Sequence, residues 1–523
     1  MTAPVEPPYS AANRLISRPR RVARNSVVTM AALIVLGGTR VLYGSMISRA
    51  TDPETYGTVG VLTAVSLILS LILPAGIAAA IARFVPHAGG QGDIERANTV
   101  YMALSRVGLI AAAALGVLAA AGAAYLRLDD SQVAQVAILT VVYCLYVTYR
   151  AGLYAFDRVR RYAGLEILSS ALIILTTVLI LDVGSTLYLA PLIVGYAAFA
   201  VGAQLSLPVP RSPVRRVGPA LAREAAIYVG LACVGTLASA GFLHGTQLLA
   251  AQYARLTDVA YFTATITLVS PLWLLPRALG LALFPFMAEA HGAGELSVVR
   301  RHADLATRAL LALLGPVVVG GILLARDVLV LYGGPPFAGG TLMMQIVLAA
   351  AYIGIVQVAS VNALSSASGQ QLRTPVGWAV AGAASGLALI FLVGGSQGGA
   401  GIAIGYLLGT AITAAGPIAV VWHRYGMAWV GPMARAMMVV GLAFAASRTI
   451  EASVAAGDRT LLVNGTIALI GVGIAAVVLF PDIRRVLLAV RHDQTPSGED
   501  RVELLLSASP VVSRVQPAAR KRP

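Results

Sequence analysis

Lysine is almost absent from the chain: Lys521 is the only one in 523 residues. A phosphate-binding glycine loop needs a lysine to reach the β- and γ-phosphates. An ATP-driven pump would therefore need its ATPase on another chain. Cysteine is nearly as scarce. Cys144 and Cys233 both sit inside apolar runs, so they build neither a disulfide framework nor a zinc site and read as packing residues. The six histidines are isolated, and no metal spacing or nucleophile triad can be assembled from them. Charge is short as well: 12% of residues are charged and 58% hydrophobic, against about 25% charged in an average soluble domain. The internal polar gaps stay under about 20 residues, too short for a soluble domain. No cofactor or metal is expected, and the chain is not expected to be an enzyme.

Long apolar runs fill the chain instead. Fourteen helices are expected, over 26–47, 58–82, 100–124, 131–149, 162–182, 185–207, 225–253, 258–288, 303–325, 340–366, 375–394, 399–422, 428–447 and 460–480. Each is about 20 residues or more, enough to cross a hydrocarbon core of about 30 Å. The fold class is all-α integral membrane. The net charge of +15 does not point to nucleic acid, because the basic residues are dispersed between helices rather than gathered on a folded module. They fit the positive-inside rule. With the N-terminus inside, 27 Lys and Arg fall in cytoplasmic segments and six in external loops: Arg49, Arg127, Arg255, Arg326, Arg448 and Arg459. Five more, Arg40, Arg106, Arg277, Arg308 and Arg435, lie within helices. Arg14, Arg18, Arg20, Arg21 and Arg24 precede the first run without a cleavage-site pattern, which reads as a cytoplasmic anchor and not a signal peptide. The expected location is the cytoplasmic (inner) cell membrane, with both termini cytoplasmic.

One stretch occurs twice. Tyr56 to Arg96 and Tyr261 to Arg300 each carry an apolar run, a glycine and a polar loop. An offset of 204 aligns Gly76 with Gly280, His87 with His291, Gly90 with Gly294 and Arg96 with Arg300; Gly195-Tyr196 and Gly405-Tyr406 match at 210. Self-similarity of this kind means two like halves. In membrane proteins it belongs above all to transporters, whose substrate site lies between the repeats. Both copies of the polar loop fall on the cytoplasmic side, so the halves are related by an axis along the membrane normal. The expected organisation is an N-terminal lobe (1–222, helices 1–6), a C-terminal lobe (223–424, helices 7–12), two extra helices (425–480) and a basic cytoplasmic tail (481–523). Within the tail, Ile483 to Val490 could lie on the membrane surface.

Arginines inside apolar runs are the sharpest chemical signal, since a central one costs about 2.5–3.5 kcal/mol on translocon scales. Arg277 sits deep in the eighth helix, between Pro271 and Pro285, where it cannot easily snorkel. Arg40 lies in the outer half of the first helix. Both are candidates for lining a polar cavity, and buried guanidinium groups suit a lipid-borne phosphate or pyrophosphate, bound bidentately. Arg106, Arg308 and Arg435 lie near the cytoplasmic side and read as interface anchors. His244 and Glu166 are the candidates for coupling or for further cavity contacts, with packing as the plain alternative for His244. The small-residue face of Gly401, Gly405 and Gly409 is a helix-packing signal.

The segment Arg49 to Gly57 (Arg-Ala-Thr-Asp-Pro-Glu-Thr-Tyr-Gly), followed by an apolar helix and Gly76 to Arg83, resembles the opening of the polysaccharide transport (oligosaccharide flippase) family. That family belongs to the multidrug/oligosaccharidyl-lipid/polysaccharide exporter superfamily. Asp258 to Tyr261 through Leu283-Phe284-Pro285 resembles its helix 7–8 region, and Ala363 to Gly369 with Gly398 to Ala403 its helix 10–12 region. The resemblance covers about residues 25–480. It implies two six-helix lobes around a central cationic cavity that alternates between inward and outward states, with Arg40 and Arg277 in the helices that carry cavity arginines in related lipid-pyrophosphate flippases. Many relatives have an acidic residue in helix 7 where this chain has His244-Gly245-Thr246, so no coupling ion is carried over. The expected function is movement of a polyprenyl-pyrophosphate-linked oligosaccharide across the membrane for cell-surface polysaccharide biosynthesis. The expected partners are that lipid-linked oligosaccharide, membrane lipid, and glycosyltransferases and a glycan polymerase. A drug or cation exporter of the same superfamily is one alternative; it would call for a membrane acid. A membrane-embedded glycosyltransferase or polymer ligase using Asp52 and Glu54 is the other; it would call for a large external loop.

Overall fold

A computed structural model of the chain describes residues 11–494 apart from 92, 126, 208–217, 277–278, 281–282, 284–286, 288–289, 292, 368–372 and 454–460. The described residues form helices and turns, with no strand among them. An apolar chain in lipid must satisfy its backbone polar groups within each segment, which leaves the helix as the solution for these runs. Twelve helices are long and apolar enough to cross a membrane, and Ala190–Ser206 is a shorter apolar one. One of the twelve, Arg373–Tyr425, is two spans merged across Gly398, whose φ of 56° and ψ of −135° suit glycine and turn the chain sharply. Counted this way, the described residues hold fourteen candidate crossings.

In chain order the helices are α1 (Ala11–Ala50), α2 (Pro53–Ile72), α3 (Pro74–Gly90), α4 (Ile94–Tyr125), α5 (Asp130–Ala155), α6 (Val159–Asp182), α7 (Ala190–Ser206), α8 (Pro219–Thr236) and α9 (Phe242–Tyr253). They continue with α10 (Leu256–Val269), α11 (Leu296–Leu323), α12 (Ala325–Gly333), α13 (Thr341–Val356), α14 (Val358–Ser365), α15 (Arg373–Tyr425), α16 (Val430–Ser453) and α17 (Leu461–Gln494). Several spans expected as continuous are broken. Pro74 separates α2 from α3, because a proline supplies no N–H and crowds the preceding turn. A π-turn at Leu237–Gly241 divides α8 from α9, and a 3₁₀ turn at Ser270–Trp273, containing Pro271, follows α10. The start of α2 is fixed by Asp52, whose carboxylate accepts the amides of Glu54 and Thr55, with Pro53 in the first turn. The Thr55 hydroxyl and amide hold the Asp52 carboxyl below the usual carboxylate range.

Packing follows the repeat. In the first half α1 packs on α6, α2 on α5, and α5 on α4 and α7; in the second, α9 packs on α15, α10 on α13, and α13 on α11 and α15. Span for span these are the same neighbours. The equivalent helices α2 and α10 pack on each other, so the twofold relation between the six-helix lobes has its axis between them. Gly57 makes that contact close: a Cβ there would stand 2.3 Å from the Leu256 carbonyl oxygen. Helices α16 and α17 pack on α11 and on one another, outside both lobes.

Two sequence expectations change here. The helix over 460–480 does not stop at its end. It continues as α17 to Gln494, through Pro481, so the stretch from Ile483 is helical and continuous with the last expected span. The cause is Asp482, 1% exposed, whose two oxygens accept from Arg308 Nη1 and Arg435 Nη2 at 2.6 Å each. Arg308 also donates to Asp304 at 2.9 Å and to the Ala428 carbonyl at 3.0 Å. Arg308 is thus 2% exposed and locked in a buried ion network, where an interface anchor would reach outward. Arg106 is exposed on α4.

Candidate functional site

A cavity of about 140 Å³ lies between the lobes. By the measure that a single water needs about 10–15 Å³ of such space, it holds several waters but no glycan. Its walls come from α1, α2, α5 and α7 on one side and from α9, α10 and the following 3₁₀ turn on the other. The lining is written in the repeat. Arg40 and His244, Tyr43 and Gln247, Val59 and Thr263, Thr63 and Thr267, and Ser66 and Ser270 all line it, and each pair is 204 positions apart. Five such pairs around one space mean that the twofold axis runs through the cavity. Its two halves differ in chemistry: the first lobe contributes a guanidinium and tyrosines, the second an imidazole, an amide and hydroxyls.

Arg40 donates to the Tyr196 hydroxyl at 3.1 Å and the Tyr143 hydroxyl at 3.4 Å. Among the described residues no carboxylate lies within ion-pair distance of it. Phenol oxygens orient the guanidinium without neutralising it, so a positive charge faces the cavity. Behind it stands an aromatic column. Tyr146 stacks on Tyr143 with ring centroids 5.6 Å apart and leans on Tyr196 at 4.8 Å and Phe199 at 4.7 Å. The Tyr146 hydroxyl donates to both Glu166 oxygens at 3.2 Å and accepts from Arg150 Nη1 at 3.3 Å. The guanidinium of Arg150 also lies 5.3 Å from the Tyr146 ring centroid, a cation–π position.

Glu166 is therefore fully buried one layer behind the wall, and does not itself line the cavity as expected from its place near the end of the fifth helix. His244 does line it, as the third residue of α9 and just beyond the π-turn; its buried Nδ1 has no hydrogen-bond partner among the described residues. π-turns are frequent at functional sites because they re-aim the side chains that follow. Arg277 lies outside the described residues. Sequence reasoning overlooked Arg150 and the tyrosine column, although Tyr143, Tyr146, Tyr149, Arg150 and Tyr154 crowd into three turns of one apolar helix.

The cavity is closed at the end of the bundle that carries residues 49–57. Tyr56 and Tyr332 share a hydroxyl hydrogen bond of 2.6 Å. The Tyr332 carbonyl accepts from Ser45 at 2.7 Å and from Arg49 Nε at 3.2 Å. The repeat-related Tyr56 and Tyr261 flank Phe337 edge-on, at 5.7 and 5.8 Å between centroids. These contacts tie α1 and α2 of the first lobe to α12 and the 3₁₀ turn Pro335–Gly340 of the second.

No protein-family model matches the sequence, and no curated protein matches it either. Solved structures do match. A multidrug resistance MATE family transporter of the MOP superfamily, in an inward-facing conformation, aligns at a TM-score of 0.61 and 14% identity, over 77% of this chain and 98% of its own. The lipid II flippase MurJ, in an inward closed conformation, aligns at 0.64 and 11%, over 88% and 99%. The Vibrio cholerae MATE transporter VcmN, in the bent form, aligns at 0.53 and 16%, over 81% and 98%. The chain shares the fold of these solved transporter and flippase structures.

Proposed function

We propose that the chain is an alternating-access flippase that moves a polyprenyl-pyrophosphate-linked oligosaccharide across the cytoplasmic membrane for cell-surface polysaccharide assembly. The observation that carries this reading is the charge of Arg40, held toward an interlobe cavity by two tyrosine hydroxyls with no carboxylate within ion-pair distance among the described residues. A pyrophosphate supplies the missing negative charge and accepts the planar fork in two places. Arg277 joins Arg40 in this role. The hydroxyls and amide of the second-lobe wall suit sugar, while the lipid tail stays in the bilayer. The fold shared with MurJ, a lipid II flippase, supports the reading.

The moving bodies are the lobes 1–222 and 223–424, with 425–480 attached to the second. The clasp around Tyr332 closes the outer end, and the Arg-rich connections face the cytoplasm by the positive-inside rule. With the cavity at about 140 Å³, the glycan can enter only when the lobes separate at the inner end. His244, on the cavity wall, and Glu166, one layer behind it, are the candidates for coupling. Glycosyltransferases and a polymerase are the partners that this role requires.

A second reading, export of aromatic cations, draws support from the MATE likeness and from Tyr43, Tyr56, Tyr143 and Tyr196 on the cavity wall, which could hold a cation against their rings. Cells depleted of the protein separate the two. Flippase function predicts accumulation of lipid-linked oligosaccharide on the inner leaflet, restored by the wild-type chain and not by Arg40→Ala. Normal glycan export with loss of drug resistance overturns it.

A further inference from the structure

A second cavity, of about 280 Å³, lies at the basic end of the bundle, far in the chain from the interlobe site. Three elements converge on it: the first turns of α11 with Ser297, Arg300, Arg301 and Arg308, the turn at Met427-Ala428, and Arg485 of α17. Its floor is neutral, because Arg308 is saturated by Asp304, Asp482 and the Ala428 carbonyl. Its rim is not. Arg300 spends one donor on the Gly426 carbonyl at 3.0 Å. Among the described residues neither Arg300 nor Arg485 has a carboxylate within ion-pair distance. Arg301 apart, the cluster sets four described arginines, Arg300, Arg308, Arg435 and Arg485, against two described aspartates, Asp304 and Asp482. Like charges drawn into one concavity by elements more than 180 positions apart repel unless an anion lies between them. The amino-terminal turn of the 28-residue helix α11 adds the positive end of a helix dipole.

We propose that this cavity binds the phosphate headgroup of an anionic lipid of the cytoplasmic leaflet, clamping α17 to α11. The choice of a lipid over a free phosphate rests on the surroundings. On α17 the side chains of Phe480, Leu487 and Leu488, on the turns flanking Arg485, are exposed by 55%, 56% and 51%. An acyl chain can lie along that surface while its phosphate takes the guanidinium forks, and basic pockets between membrane helices on this side suit such headgroups. The inference is independent of what the interlobe cavity transports.

The test compares the full-length protein in nanodiscs of phosphatidylcholine alone and of phosphatidylcholine with one part in five phosphatidylglycerol. Thermal unfolding and native mass spectrometry of retained lipid are the readouts. The midpoint is expected to be higher, and phosphatidylglycerol retained, in the mixed discs. Arg300→Gln and Arg485→Gln should each weaken that preference roughly tenfold, about 1.4 kcal/mol, and the pair should abolish it while the midpoint in pure phosphatidylcholine changes little. Equal retention by wild type and the double variant overturns the site. Inorganic phosphate raising the midpoint as much as the lipid does, in an arginine-dependent way, overturns the lipid assignment. The tail beyond Gln494 carries Glu499, Asp500 and Glu503. If replacing these by their amides lowers the midpoint as far as the double arginine variant does, and lipid composition has no effect, the chain's own tail fills the cavity and the proposal fails.

Discussion

Asp482→Asn removes one negative charge from the join between α17 and the second lobe while keeping the side chain's shape. The wild-type carboxylate is 1% exposed and accepts from two guanidiniums at 2.6 Å. In the variant, Arg308, whose side chain is 3% exposed, loses its shortest contact and faces Arg435 with no anion between them. Breaking a buried pair by removing one partner costs about 3–5 kcal/mol. Arg308 retains Asp304 and the Ala428 carbonyl, so the loss should sit near the lower bound, about 3 kcal/mol. Reversible unfolding of the purified protein in mixed micelles, followed by tryptophan fluorescence, measures it. Trp429 reports locally, because its indole donates to Asp304 at 2.8 Å. Arg435→Gln is the control: its side chain is 33% exposed, and losing a part-exposed pair should cost only about 1 kcal/mol. The double variant Arg308→Met with Asp482→Leu should recover most of the loss, since apolar groups of similar volume replace a buried pair at little cost. A loss below about 1 kcal/mol for Asp482→Asn, or equal losses for Asp482→Asn and Arg435→Gln, would refute the claim that this network anchors α17.

Other outcomes follow from the same contacts. Arg40→Ala should abolish glycan export without lowering expression, because the hydrogen bonds of the Arg40 guanidinium among the described residues go to two tyrosine hydroxyls, and Arg40→Lys should fall between by keeping the charge and losing the fork; Arg277→Ala is proposed to match Arg40→Ala, read in the same export measurement. Gly57→Ala would press a Cβ to within 2.3 Å of the Leu256 carbonyl and cost the closed outer end about 1–3 kcal/mol; an impermeant thiol reagent should then label Thr63→Cys from outside faster than in the parent. Reporter fusions at Gly89, Gly292 and the C-terminus should read cytoplasmic and fusions near Asp129 and Gly334 external, and one reversed reporter would break the topology.

Helix number and the twofold relation were legible because apolar run length and the 204-residue offset are local properties of the chain. The same offset pairs Arg40 with His244, yet only the fold shows that the two face each other across one cavity. Helix breaks were less legible. Pro74 and Pro271 were visible in sequence, but the π-turn at Leu237–Gly241 has no proline to mark it. The reading of Arg308 as an anchor failed for a definite reason: its partner Asp482 lies 174 positions beyond it, past the point where the hydropathy of the last run falls. Depth in a single helix cannot reveal an ion pair made by two. Glu166, a candidate for coupling or a cavity contact, stands behind the wall, since whether a side chain lines a cavity or backs its wall depends on the neighbouring helix, here the tyrosines of α5.

The central claim is tested most directly in proteoliposomes containing only the purified protein and a polyprenyl-pyrophosphate-linked oligosaccharide labelled on its sugar. An impermeant glycan-modifying enzyme added outside reads how much of the labelled lipid has crossed. The account predicts protein-dependent exposure of the inner pool, lost in Arg40→Ala and unaffected by an excess of an aromatic cation. An inner pool that stays protected while the same vesicles transport that cation would contradict it.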